Sequence, residues 1–306
     1  MNHQLKSKTL IVVAGATAIG KTAAAIQLAQ HFNTVILSAD SRQFYREMSI
    51  GTAKPTTEEL AAATHYFIDS HSITESFTVA DFEKQALELL DELFKTRDVV
   101  ILVGGSGLYI KAVCEGFDDI PPAGPEIREK LNREFEEFGI TNLQEKLKKA
   151  DPEYYAQVDI NNPQRVIRAL EIFESTGKPF SSYRLSNINK RPFNIIKIGL
   201  DTPRDILYER INRRVDDMIQ LGLVDEVKTL FPYRHLNALN TVGYSELFDY
   251  FDGKTDLNLA VDSIKQNTRR FAKRQLTWFR KDKQIHWFEA NDMLPGKVIA
   301  FLLDKL

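Results

Sequence analysis

Cysteine is almost missing: Cys114 is the one thiol in 306 residues. A single thiol closes no internal disulfide and supplies no cysteine-type zinc site, so a disulfide scaffold and a zinc ribbon are both excluded. Cys114 reads instead as a buried apolar thiol. The six histidines are scattered, with none at H-x-x-x-H spacing. His65 and His71 flank YFIDS without further clustered ligands, which argues against a metal site there. No run reaches the ~18–20 apolar residues that a helix needs to cross a bilayer. The polar start MNHQLKSK leads directly into TLIVVAGA and a glycine loop, the pattern of a buried strand rather than of a signal peptide. A cytoplasmic protein with no membrane association is the expectation. Charge of one sign is also lacking. Forty Lys and Arg stand against 42 Asp and Glu, a net charge of −2, so any nucleic-acid surface has to be local. Internal repeats and low-complexity segments are absent.

What is present alternates between two periodicities. TLIVVAGA (9–16), TVILSAD (34–40), DVVILVGGSG (98–107) and PFNIIKIGLD (192–201) are short β-branched runs suited to strands buried on both faces. Between them, KTAAAIQLAQHF (21–32) is Ala-rich at helical spacing. TVADFEKQALELLDELFKT (78–96) places Phe82, Ala86, Leu89, Leu90 and Leu93 on one stripe. Strands alternating with helices predict an α/β fold with a parallel sheet. From FDDIPPAGPEIREKL onward the pattern is helical with almost no strand signal, and the prolines at 121, 122 and 125 mark a boundary. The expected organisation is therefore a P-loop parallel-sheet core formed by 1–117 and 193–306, with a helical insertion domain at 118–192. Helices DILYERINRRVDDMIQLG and LAVDSIKQNTRRFAKRQLTWFRK follow.

GATAIGKT, Gly15 to Thr22, fits G-x-x-x-x-G-K-[ST]. That loop works because successive backbone N–H groups converge at a helix N-terminus, and here it follows an expected strand and opens an expected helix. Lys21 adds a point charge, and the Thr22 hydroxyl can ligate Mg²⁺. A P-loop NTPase also needs an acid ending a hydrophobic strand. VVILV has none: Gly104, Gly105 and Ser106 follow it. The acid lies on another strand, as Asp40 in VILSAD. At the carboxyl edge of a parallel sheet it sits where such folds bind ligands, either as a general base or as a loop or cap carboxylate. Ser106, in GGSG, is placed to hydrogen-bond a substrate or Asp40.

Two basic clusters stand out. KQNTRRFAKRQLTWFRKDK (265–283) holds eight Lys and Arg against one Asp. On a helix Arg270, Lys273 and Arg274 project together with Trp278 close by, which suits phosphate contact and base stacking. The aromatics Trp278 and Phe279, with Leu276, read as core, and the arginines as phosphate ligands. ERINRRVDD carries Arg210, Arg213 and Arg214, one of which can clamp a diphosphate; exposed pairing such as Arg213 with Asp217 is the bland reading. In NNPQRVIRAL, Arg165 and Arg168 follow a helix start and can reach nucleic acid or a neighbouring Glu.

Taken in order, GATAIGKT, SADSRQFYREMSIGTAKP, VGGSGLYIKAV, NNPQRVIRALEIFESTGKP, TVGYSE and AKRQLTWFRK resemble the motifs of the bacterial tRNA dimethylallyltransferase (tRNA isopentenyltransferase) family, over roughly residues 9–290. The resemblance implies transfer of a dimethylallyl group from dimethylallyl diphosphate to the exocyclic amine (N6) of the adenosine on the 3′ side of the anticodon. The tRNAs concerned read codons that begin with U, and diphosphate is released. It implies Asp40 as general base, Ser106 as a hydroxyl near the amine or the leaving oxygen, and Arg214 as the diphosphate clamp beside Arg213. Gly15, Ala16, Thr17, Ala18, Ile19, Gly20, Lys21 and Thr22 become the diphosphate cradle, with Mg²⁺ held at Thr22. Ala16 and Ile19 depart from the family's usual Pro and Ser, both at positions that can act through backbone N–H. For the tRNA anticodon stem-loop it implies contacts from Asp40, Ser41, Arg42, Gln43, Ser106, Arg128, Gln164, Arg165, Val166, Ile167 and Arg168. It extends them to Thr241, Gly243, Tyr244, Lys273, Arg274, Gln275, Trp278 and Arg280. A monomer is the default. Two other classes compete: a P-loop kinase of a small metabolite or nucleoside, and a nucleotide-dependent RNA-binding switch. The kinase leaves the insertion and the 265–283 cluster idle. The switch lacks a Walker-type acid.

Overall fold

The computed structural model describes residues 8–116, 118, 120–121, 123–184, 189–291 and 293–306. The start of the chain and Pro122 lie outside them. The chain forms two compact units, Met1–Cys114 with Arg191–Leu306, and Glu115–Lys190.

The first unit is built on six parallel strands. They are β1 (Thr9–Gly15), β2 (Ile36–Ser38), β3 (His65–Tyr66), β4 (Val99–Gly104), β5 (Asn194–Asp201) and β6 (Ile285–Glu289), in the order β3-β2-β4-β1-β5-β6. The switch from β4-ward to β5-ward neighbours falls at β1, which pairs with both. That places the loop after β1 at the crevice where open parallel sheets take ligands. Alternation along β1 explains the two-sided core. Leu10, Val12 and Ala14 face one apolar cluster, whereas Ile11 and Val13 face the other.

Helices cover both faces. α1 (Lys21–Phe32), α2 (Thr57–Ala62), α3 (Val79–Leu93) and α4 (Gly107–Glu115) precede the insertion. Phe82, Ala86, Leu90 and Leu93 of α3 are buried, and Leu89 is partly so. Cys114 is a buried thiol at the end of α4. Arg191 closes the point where the chain re-enters. Its guanidinium donates to the carbonyls of Ala112 and Val113 at 2.6 and 2.8 Å and to Glu83 at 2.7 Å.

The second unit holds α5 (Pro125–Ala150), α6 (Pro152–Gln157) and α7 (Pro163–Thr176). Inside α5, Gly139 has φ 72° and breaks the helix into two arms. A left-handed residue there calls for glycine. Lys146 pairs with Glu134 across that bend. Leu131, Leu143, Leu147, Val166, Ile167 and Leu170 form this unit's own core.

After β5 come α8 (Arg204–Gln220), α9 (Leu223–Leu230), α10 (Tyr244–Phe251), α11 (Leu257–Phe279) and, after β6, α12 (Leu294–Lys305). The reading of the chain beyond residue 201 as helical missed β6, whose five residues IHWFE lack a β-branched run and follow a charged stretch.

Candidate active site

A cavity of about 440 Å³ opens beside the carboxyl ends of β1, β2 and β4. Thr17 follows β1, Asp40 and Ser41 follow β2, and Ser106 follows β4; all line it together with Arg214 of α8 and Arg274 of α11. The parallel topology delivers the loops after β1, β2 and β4 to the same edge, and α8 and α11 add Arg214 and Arg274 from the other end of the sequence.

The cradle loop has the backbone its sequence requires. Ala18 and Gly20 have φ of 61° and 101°, and Gly20 is the residue from which α1 starts. The helix therefore begins with free N–H groups turned toward the loop. Ala16 and Ile19 are fully buried, Ile19 within the core under β1. Their departures from the family's usual residues therefore fill core space. Lys21 donates to the carbonyl of Ala16 at 2.7 Å. Burial pulls its ammonium down to about 8; Asp40 opposes the shift and Arg214 adds to it. Arg214 is likewise lowered by burial, opposed by Asp40 and Glu59. Two cations and one carboxylate thus share a poorly solvated crevice, the kind of environment in which titratable groups are perturbed.

Arg214, rather than Arg213, reaches the cradle: its Nη1 donates to the Thr17 hydroxyl at 3.3 Å. Arg213 is exposed and pairs with Glu209 at 3.0 Å, so its partner is not the Asp217 considered from sequence. Asp40 accepts the Arg42 N–H on Oδ1 at 3.0 Å, and among the described residues its Oδ2 takes no hydrogen bond. Ser106 partners Ser41 rather than Asp40. It accepts the Ser41 N–H at 3.1 Å and donates to the Ser41 hydroxyl at 3.2 Å. A Cβ on Gly104 would lie 2.5 Å from the Ala39 carbonyl, so β4 approaches the Asp40 turn too closely for any side chain there.

Several residues expected to touch tRNA have their side chains occupied elsewhere. Gln43 accepts from Ser38 at 3.1 Å and donates to the carbonyls of Thr52 and Ala53 at 3.2 and 3.0 Å, so it braces its own loop. Tyr244 is fully buried, with its hydroxyl donating to Glu226 at 2.6 Å. Burial and Glu226 both raise that phenol's pKa. Gln275 is buried and bonded on both sides of its amide. Val166 and Ile167 are core of the second unit, so contact from that stretch falls to its exposed neighbours. Arg280 pairs with Asp201 at 2.7 Å. Gly243 is buried as backbone, its N–H donating to Glu246 at 2.8 Å, while it and Thr241 line the cavity.

Other expected residues are presented to solvent. Lys273, Arg274 and Trp278 share a shallow surface cavity with Arg270, Thr277 and Lys281. Trp278 is 42% exposed, which corrects its reading as core; Phe279 is core at 3%. A Cβ on Gly107 would fall 2.2 Å from the indole, so glycine at the start of α4 is what lets Trp278 lie there. In the second unit, Arg128 and Arg168 converge on buried Glu171 at 3.2 and 3.0 Å, and Arg128 also donates to Gln164 at 2.8 Å. That carboxylate holds two half-exposed guanidiniums in place. Arg165 is exposed.

Sequence reasoning missed Glu226 of α9. Its carboxylate accepts the backbone N–H groups of Ser49, Ile50 and Gly51 at 3.0, 2.7 and 3.0 Å, as well as the Tyr244 hydroxyl. It holds the stretch Gly51–Ala53 that lines the cavity. Nothing local in LVDEVKTL signals this, because its three backbone partners lie about 175 residues earlier and Tyr244 lies 18 residues later.

Fold and site together define an α/β protein of the P-loop type. Its P-loop shares a cavity with a strand-end carboxylate instead of a Walker acid. The IPP transferase family model matches residues 43–282, and the chain belongs to that family. It is 58% identical to a tRNA dimethylallyltransferase of Christiangramia forsetii over 286 residues, covering 94% of this chain and 95% of that protein. Among solved structures, the tRNA isopentenylpyrophosphate transferase of Bacillus halodurans superposes with a TM-score of 0.72 at 41% identity, covering 97% and 96% of the two chains. A eukaryotic dimethylallyltransferase acting on tRNA superposes with a TM-score of 0.76 at 26% identity, covering 94% of this chain and 75% of that one.

Proposed function

We propose that this protein is an enzyme that transfers a dimethylallyl group to tRNA, from dimethylallyl diphosphate to the N6 amine of the adenosine next to the 3′ side of the anticodon. The observation that carries the mechanism is that Asp40 lines one cavity with Thr17 and Arg214. A base and a diphosphate cradle then flank a single reacting carbon. The allylic C–O bond breaks with its electron pair going to diphosphate, the N–C bond forms, and the amine proton passes to the free oxygen of Asp40. Loop amides, Lys21 and Arg214 stabilise the departing charge. Ser106, already oriented by Ser41, meets the amine or the leaving oxygen. Val215, Met218, Ile264 and Phe271 give the cavity an apolar wall that seats the prenyl chain and excludes water.

Mg²⁺ fits this donor set. Thr22 places a neutral hydroxyl in the first turn of α1, at the end of the cradle loop. Such a site suits a cation that keeps waters and phosphate oxygens as ligands. Thr22 would hold it, and the ion would neutralise diphosphate oxygens.

For tRNA, the acceptor base leaves its stack to react, and single-stranded anticodon bases are read on their edges. The Arg270–Lys281 face with Trp278, and the Arg128–Arg168 pair with Arg165, supply phosphate contact and stacking. Among the described residues no helix is long and apolar enough to cross a membrane, and we assign the protein to the cytoplasm as a monomer. The test is incubation of undermodified tRNA with radiolabelled dimethylallyl diphosphate or with γ-labelled ATP. Label should enter tRNA from the former alone; label from ATP only, or from neither, overturns the reading.

A further inference from the structure

The side chain of Gln275 on α11 joins the cradle loop to the Ser106 turn. It is 7% exposed, so water does not satisfy its amide. The Thr17 N–H donates to its Oε1 at 2.8 Å, and its Nε2 donates to the Gly105 carbonyl at 2.9 Å. Thr17 is therefore fixed at both ends, its N–H by Gln275 and its hydroxyl by Arg214. Gly105 is fixed beside Ser106, which in turn holds Ser41 next to Asp40. The glycine at 105 makes this possible, because a Cβ there would lie 2.3 Å from the Gln275 Nε2.

The Thr17 amide is thus turned away from the cradle and spent on α11. Among residues of the phosphate loop this is an unusual use of a backbone donor, since the concavity depends on such groups pointing inward. α11 also bonds the other walls. Asn267 donates to Glu246 at 2.7 Å, Glu246 accepts the Gly243 N–H, and Arg269 donates to Asn212 of α8 at 2.6 Å. One helix carries an exposed basic face and, at its buried face, sets the loops of the cavity.

We propose that Gln275 is a positioning residue of the transfer reaction: it sets the diphosphate cradle at Thr17 against the Ser106–Ser41–Asp40 side, where the acceptor amine lies. The inference rests on the functional reading above and concerns geometry within it. Gln275 touches neither substrate. Its amide accepts once and donates once inside the protein and is buried, so its role is internal positioning rather than the tRNA contact that the family resemblance implies.

The test replaces both hydrogen bonds while keeping volume, with Gln275→Met, and attacks the same link from its other end with Gly105→Ala. Inorganic diphosphate binding is measured by calorimetry, tRNA binding by filter retention, and transfer kinetics with dimethylallyl diphosphate varied at saturating tRNA. Both variants should weaken diphosphate about tenfold and lower kcat/KM for dimethylallyl diphosphate by at least about tenfold, while the Kd for tRNA moves less than about twofold. A general loss of folded protein would lower kcat alone and leave both affinities unchanged, and that outcome overturns the proposal. So does a variant with wild-type diphosphate affinity, or one that loses tRNA binding only. Wild-type protein that transfers nothing would overturn the functional reading itself. Wild-type protein that transfers normally beside an indistinguishable Gln275→Met overturns this inference alone.

Discussion

Replacing Glu226 by Gln tests how the cavity wall is held. The carboxylate accepts four donors: three backbone N–H groups at 2.7–3.0 Å and the Tyr244 hydroxyl at 2.6 Å. Hydrogen bonds to a charged acceptor contribute about 1.5–3 kcal/mol each, and neutral ones about 1 kcal/mol. In Glu226→Gln the amide NH₂ is best placed toward Tyr244, whose hydroxyl can turn and accept. Gly51 N–H then loses its partner, at about 1–3 kcal/mol. Three remaining bonds weaken as well, and the expected destabilisation is roughly 3–4 kcal/mol. For a chain of this size that lowers Tm by roughly 5–10 °C. Tyr244→Phe removes one donor and should cost about a third as much. Calorimetric melting reads both. A Glu226→Gln protein that melts within 1 °C of wild type would refute the reasoning, as would Tyr244→Phe costing as much as the Glu226 change.

Other predictions concern the chemistry. Asp40→Ala should abolish transfer and leave tRNA binding largely intact; a near-normal rate of label incorporation removes Asp40 from the role of base. Because burial lowers Lys21 to about 8, the ligand-free protein loses this charge as pH rises through that value. Diphosphate favours the charged form, so binding above pH 8 should take up a proton and affinity should fall from pH 8 to 9. Calorimetry in buffers of different ionisation enthalpy reads the uptake, and a Lys21→Met protein should show none. Arg274→Ala should weaken tRNA binding and shrink the slope of log K against log salt by about 0.7–0.9; an unchanged slope returns that helix to an ordinary solvated face.

The strands that position the site are visible as β-branched runs because they are buried on both faces, and the glycines of the cradle are visible because the backbone there needs positive φ. β3, with two residues, and β6 carry no such signal. The helix Lys21–Phe32 and the apolar stripe of α3 follow directly from spacing. Placement of Asp40 and Ser106 at one edge follows from parallel topology alone. The choice of Arg214 over Arg213 depends on which side of α8 faces Thr17, and two adjacent arginines in a sequence do not reveal that. Gln43, Tyr244 and Gln275 sit within motifs that resemble tRNA-contacting runs, yet their side chains serve the protein's own loops. Trp278 read as core because aromatics at helical spacing usually are, whereas Gly107 leaves its indole lying at the surface. Such assignments depend on partners far along the chain, and no local pattern encodes them.

If the cradle holds a leaving group, carbon–oxygen rather than phosphorus–oxygen cleavage takes place beside it. Dimethylallyl diphosphate labelled with heavy oxygen at the bridge between C1 and phosphorus, turned over with undermodified tRNA, tests this directly by mass spectrometry of the products. Every label should appear in released diphosphate, one diphosphate for each dimethylallyl group in tRNA, with no orthophosphate. Label retained on the organic product, or orthophosphate formed in step with it, would contradict the account.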